Sequence, residues 1–246
     1  MFNIFHYKLK KIFCYNLLFL LLIGCKKEVS LSFSEEIITS ETDAIIEIVY
    51  PKANGDKLVS NAINTTIETH ISNTLNFDAD KESVAFNQAI KTFNNNFKTF
   101  KNEFPDSSQK WEALIDGEVI YQSPEVISLA LNTYIDTGGA HGNGQITLFN
   151  FNPETGLEYK NKAIIKNSEA FLELARSHFK AELNDDANKS IEDYFWGDDF
   201  KLPENIGFSD DGIILLYNTY EIASYSEGIT EFTIPYEEAN KYLKIN

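Results

Sequence analysis

The sequence predicts an α+β fold: antiparallel sheets packed with amphipathic helices, in two successive subdomains behind an N-terminal leader. Three observations carry that expectation. Residues 59–75 and 86–104 repeat apolar side chains at steps of three and four, the period of a helix with one buried face. Residues 127–136 alternate strictly, the period of a strand with one buried face. A glycine-rich break at residues 138–144 then separates this part from a second run of strand and helix signals.

Taken in order, the chain opens with Lys8, Lys10 and Lys11, then an apolar run over residues 12–23, then Gly24 and Cys25, with no acid before Glu28. This is the pattern of an export signal, a basic region followed by a short apolar one. A membrane-spanning helix needs about 20 apolar residues, and this run has twelve positions, one of them Asn16. Leu22, Ile23, Gly24 and Cys25 resemble the lipobox of bacterial lipoprotein precursors. The resemblance implies cleavage before Cys25, lipid on its thiol, and a protein held on a membrane of the cell envelope outside the cytoplasm. One acyl chain anchors only marginally, so stable attachment takes two or three.

Removing residues 1–24 takes away three lysines and no acids, so the net charge moves from −16 to −19 over 222 residues. Nucleic acid is a poor partner for such a chain. Cys14 leaves with the leader and Cys25 carries lipid, so the mature chain has no disulfide. Residues 25–42 read as the lipidated cysteine and a polar tether.

The first subdomain is expected over residues 43–144. Residues 44–50 read as a strand ended by Pro51 and the turn residues Asn54, Gly55 and Asp56. Val59, Ala62, Ile63, Thr66, Ile67, His70, Ile71 and Leu75 form the stripe of a first helix, on which His70 reads as a packing residue. Asp80 is a candidate cap for a second helix with Phe86, Ala89, Ile90, Phe93, Phe97, Phe100 and Phe104 facing the core, stopped by Pro105. Strands follow at residues 111–115, 118–122 and 127–136.

The second subdomain is expected over residues 145–246. It begins with a strand at 145–151, a turn at 152–156 and a helix that Ser168 could cap, with Phe171, Leu172, Ala175, Phe179 and Leu183 inward. An acidic stretch follows, including Asp185, Asp186, Asp193, Asp198 and Asp199, which forms a candidate binding face for a cationic partner. Asp211 and Gly212 signal a hairpin. A last strand at 229–234 and a terminal helix at 236–243 close the chain.

Chemistry is sparsely signalled. The loop of Asp136, Gly138, Gly139, His141 and Asn143 is the candidate loop site, since its glycines permit positive φ and close backbone approach. Its spacing matches neither a P-loop nor a dinucleotide fingerprint. The mature chain keeps only His70, His141 and His178, without a zinc-binding pattern. A calcium loop starting at Asp186 fails because Ile191 stands where a glycine is needed. No serine sits in a nucleophile elbow. The sequence therefore points to no metal, no cofactor and no catalytic residue.

Tyr134, Thr137, Gly138, Gly139, Ala140, His141 and Gly142, then Asn150, Phe151, Thr155 and Gly156, and finally Gly212, Tyr220, Glu221, Ile222, Ala223, Tyr225, Gly228, Ile234, Pro235 and Tyr236 carry a resemblance over about residues 41–240. They resemble an extracellular domain pair: the accessory domain of the peptidoglycan deacetylase PdaC, and the carboxy-terminal domain it shares with the lysozyme-sensing anti-sigma factor RsiV. Only eleven residues precede the apolar run, against the sigma-binding part of that regulator, and no deacetylase motif is present. The resemblance implies an α+β fold and a non-enzymatic binding module for a cationic protein such as lysozyme. The alternative is a module that binds or modifies cell-wall glycan, using Asp136 and His141.

Overall fold

The computed structural model describes residues 31–41, 43–76, 84–183 and 190–245. Asp80, Asp185, Asp186 and the leader with Cys25 lie outside them; Asp80 does not cap the second helix, which begins at Phe86 with Ala85 as its N-cap and no side-chain cap. Among the described residues no helix is long and apolar enough to cross a membrane.

The first half is a five-stranded sheet in the order β1-β2-β3-β4-β5, with β1 at Ser32–Ser40, β2 at Ile45–Asn54, β3 at Glu112–Gln122, β4 at Ile127–Asp136 and β5 at Asn143–Phe151. Neighbours are antiparallel except β2 and β3, which run parallel. A parallel pair needs a long crossover, supplied here by α1 at Lys57–Leu75 and α2 at Phe86–Glu103. Asp56 starts α1 as its side chain accepts from Leu58 N and Val59 N. Ile63, Ile67 and Ile71 of α1 and Phe93 and Phe97 of α2 join one buried cluster with Ile46, Ile48, Tyr50, Ile115, Leu129 and Leu131 of the sheet.

Four expectations for this half change. Residues 32–40, read as tether, form strand β1, paired with β2 along its whole length. Glu35 and Glu36 hide it from a hydropathy reading, yet an edge strand tolerates charge because one margin faces water. Residues 111–115 and 118–122 are not two strands but one, β3, with a register shift near Val119. Gly117 sits inside it because a Cβ there would come within 2.9 Å of Leu131 Cδ1 and 3.0 Å of Pro51 Cδ. The sheet also runs past residue 144, since β5 pairs with β4 from Asn143 to Phe151. Phe104, expected in the core, is exposed at the end of α2.

The second half contains α3 at Asn161–Ile164, α4 at Ser168–Leu183, a three-stranded antiparallel sheet of β6 (Asn205–Phe208), β7 (Gly212–Tyr217) and β8 (Thr230–Pro235), and α5 at Tyr236–Ala239. The cap of α4 is Asn167 rather than Ser168: its side chain accepts from Ala170 N at 3.3 Å, and Ser168 is the first helical residue. Phe171, Ala175, Phe179 and Leu183 are buried as the stripe requires. Phe179 is a hub, with the rings of Tyr194, Phe195, Phe200, Tyr217 and Phe232 all within 5.4 to 6.0 Å of it. The Asp211-Gly212 hairpin forms between β6 and β7; a Cβ at Gly212 would approach Ile234 O to 2.2 Å.

Asparagine side chains join the halves. Asn218 donates to Ile146 O and accepts from Ile146 N, both at 2.8 Å, and Asn205 Oδ1 accepts from Leu148 N at 2.8 Å. These amides satisfy backbone groups on the margin of β5 as a further strand would. Asn150 Nδ2 donates to Ile206 O at 2.6 Å, while Ser128 Oγ donates to Asn150 Oδ1 and accepts from Phe208 N at 3.0 Å. Ser128, whose position in the strict alternation of residues 127–136 would put it on the face opposite Ile127, Leu129 and Leu131, is therefore fully buried.

Candidate functional site

The registers give the five-stranded sheet two distinct ends. Ser32, Asn54, Gln122, Ile127 and Phe151 lie at one; Ser40, Ile45, Glu112, Asp136 and Asn143 lie at the other. The candidate loop, joining β4 to β5, is at the second end.

The loop is held from within. Asp136 Oδ1 accepts from Gly138 N at 2.8 Å and from Gln109 Nε2 at 3.2 Å. Gly138 takes φ 91°, a conformation open to glycine. Gly142 lies on the Tyr134 ring so closely that a Cβ would come within 2.3 Å of it. His141 Nδ1 lies 2.8 Å from Gly142 O and donates to it, since a carbonyl only accepts. Asp136 and His141 are thus each engaged in shaping the loop, and among the described residues no hydrogen bond joins them. Asn143 is exposed as the first residue of β5.

The exposed His141 ring stacks on Tyr225 at 4.2 Å with 25° between planes, and Tyr220 lies 5.7 Å beyond Tyr225. The two tyrosines come from the second half, on the segment between β7 and β8. Tyr220 has φ 67°, which costs a non-glycine residue about 1–2 kcal/mol. Its neighbours hold it there: the Glu221 carboxylate accepts from Asn218 N and Glu204 N, both at 2.9 Å. Burial raises the Glu221 pKa against the lowering effect of those two donors.

The acidic face is partly visible. Asp193, Asp198 and Asp199 are exposed, while Asp185 and Asp186 lie outside the described residues. Between them, Phe195, Trp196 and Gly197 have φ of 60°, 57° and 87°, three consecutive left-handed residues. Phe195 is 1% exposed and its N–H donates to Ile222 O at 2.6 Å; Trp196 beside it is 62% exposed. The bend anchors one aromatic residue in the core and turns the next out among carboxylates. Trp196 was not singled out from sequence, although a Phe-Trp-Gly triplet flanked by acids was there to be read. The Phe195–Ile222 bond also ties this bend to the segment bearing Tyr220 and Tyr225.

A groove of about 390 Å³ beside Gln109 is lined by Asp43, Phe97, Lys98, Lys101 and Lys110. Lys98 pairs with Asp43 at 3.0 Å and Lys101 donates to Pro105 O at 3.4 Å, so two of its three lysines are already engaged. Among the described residues no cluster of three or more His, Cys, Asp or Glu is arranged to hold a metal. The exposed features of this face are the His141, Tyr225, Tyr220 and Trp196 rings and the carboxylates of Asp193, Asp198 and Asp199.

Comparison with known proteins gives two family matches. Residues 38–144 match the family model described as Deacetylase PdaC, and residues 159–237 match Protein of unknown function (DUF3298). The chain therefore fits a PdaC/RsiV-like domain pair. It is similar in fold to a DUF3298 family member from Bacteroides fragilis NCTC 9343, at 20% identity and TM-score 0.66, covering 89% of this chain and 95% of that one. It is also similar to a DUF3298 family protein from Pseudomonas aeruginosa PAO1, at 17% identity and TM-score 0.60, covering 90% and 97%. No curated protein gives a significant match. The first family match ends at residue 144 and the second begins at 159; β5, lying between them, pairs with the first sheet and bonds to the second half.

Proposed function

We propose that the chain is a lipoprotein of the cell envelope, anchored through Cys25, that acts as a non-enzymatic docking module for a cationic protein, with lysozyme the partner suggested by the domain resemblance. The observation that carries this reading is Trp196, held out to solvent on a left-handed bend beside Asp193, Asp198 and Asp199. Exposed tryptophans supply much of the energy of protein interfaces. A negative surface draws a cationic partner in and speeds encounter.

Calorimetric titration of residues 26–246 with lysozyme at low and moderate salt tests it. Binding should weaken with salt, and Trp196→Ala should cost about tenfold or more in affinity. No heat at either salt, or affinity indifferent to Trp196→Ala, sinks the reading.

A second reading, binding or modification of cell-wall glycan, is favoured by the exposed His141, Tyr225 and Tyr220 rings, since aromatic faces suit sugar rings. Loss of glycan binding in His141→Ala with an unchanged melting temperature would support it. A lowered melting temperature with no change in binding makes the loop structural.

A further inference from the structure

We propose that the sheet end carrying Ser32 seats on the lipid surface through Leu58 and Leu157, so that the His141 loop and its stacked rings face away from the bilayer. This rests on the Cys25 anchor proposed above.

The length of chain outside the structure sets the geometry. Six residues, 26–31, separate Cys25 from Ser32. Leu31 is already fastened, its carbonyl accepting from Gln122 Nε2 at 3.3 Å. An extended chain spans at most about 3.6 Å per residue, so Ser32 stands no more than roughly 25 Å from the lipidated cysteine. The opposite end of the nine-residue strand β1 lies about 30 Å further along the sheet.

Among the polar residues of the Ser32 end, which include Asp56, Lys57, Glu125 and Glu154, two large apolar side chains stand exposed. Ser32 pairs with Asn54, and α1 begins three residues later. Leu58, in its first turn, is 84% exposed. Gly156 packs against the same turn, where a Cβ would come within 2.3 Å of Val59 O and 3.0 Å of Ala62 Cβ. The next residue, Leu157, is 65% exposed. The loop bearing it is fixed, with Asn152 N donating to Leu157 O at 2.9 Å and Asn152 Oδ1 accepting from Glu154 N and Thr155 N. Two leucines are therefore exposed to water on neighbouring segments at the end from which the anchor departs. A bilayer within tether reach is the apolar phase available to both, and apolar side chains enter its interface to about 5–10 Å.

Depth-dependent quenching tests the seat. The acylated protein is placed in phosphatidylethanolamine–phosphatidylglycerol vesicles containing a nitroxide-headgroup lipid, with a fluorophore on Asn54→Cys or, at the other end, on Asp106→Cys. Cys25 is the mature chain's own cysteine and its thiol is occupied by lipid, so each label is unique. Asn54→Cys should be quenched about threefold or more over Asp106→Cys, and Leu58→Glu with Leu157→Glu should erase the difference while flotation with vesicles persists. Equal quenching of both labels on an acylated, floating protein overturns the seat alone. Absence of acyl mass on the Cys25 peptide overturns the anchor and the seat with it. Cross-linking between Leu58→Cys copies without lipid quenching gives the patch to a second copy and also overturns the proposal.

Discussion

The two halves build their cores by different means. The first is periodic and largely aliphatic under α1, where isoleucines face isoleucines and leucines of the sheet, with Phe93, Phe97 and Phe100 of α2 around Trp111 beside them. The second converges on one ring, Phe179, from which Tyr194, Phe195, Phe200, Tyr217 and Phe232 radiate, several of them from irregular backbone. A core spread over many equivalent contacts should absorb damage better than one gathered on a hub.

The sharpest test of that difference is truncation. Phe179→Ala should destabilise by about 3–5 kcal/mol, read by urea unfolding, because it opens a cavity at the point where five rings meet. Ile63→Ala in the first core should cost about 2–4 kcal/mol; an equal or larger loss there would dissolve the contrast.

The junction comes next. Asn150→Ala leaves Ile206 O and Ser128 without their buried partner and should cost about 1–3 kcal/mol. If the halves depend on these amides for coupling, the variant should unfold in two transitions where the unsubstituted protein unfolds in one, with the second half melting first. A cost below about 0.5 kcal/mol would assign the coupling to apolar contact instead.

The smallest effect is pH-dependent and belongs to the first half. Burial lowers the pKa of His70, which meets Thr147 Oγ1 at 3.3 Å and the Phe149 ring edge at 5.2 Å. The folded state then binds a proton less readily than the unfolded chain. Stability is full above the unfolded pKa of about 6.5 and declines as pH falls through that value toward the lower folded one. His70→Gln should flatten the slope of melting temperature against pH below 6.5; an unchanged slope would place its origin elsewhere.

The same contrast explains what was legible in sequence. The α1 and α2 stripes, β4 and the hairpin at Gly212 follow from local period and turn chemistry, and each appears within a few residues of its expected place. Strand β1 was missed because its charges are tolerated only at a sheet margin, a fact about neighbours. Ser128 falls opposite Ile127 and Leu129 in the alternation, which cannot foresee β6 covering that face. The glycine break falls between β4 and β5 as its turn chemistry requires, yet its stacking on Tyr225 depends on the distant Asn218 amide docking on β5. Trp196 has a local signal in the Phe-Trp-Gly triplet, but its outward turn is set by the left-handed bend on which it is carried.

The asparagine amides on β5 have a consequence for life in a crowd. They seal one margin of the large sheet, so neighbouring copies have no open row of backbone groups there to zip onto. The remaining margin, β1, is guarded by Glu35 and by Glu36, which pairs with Lys52 at 2.9 Å. Copies packed densely and facing the same way would meet edge to edge at like charges or at spent hydrogen bonds, and so stay separate rather than grow into filaments.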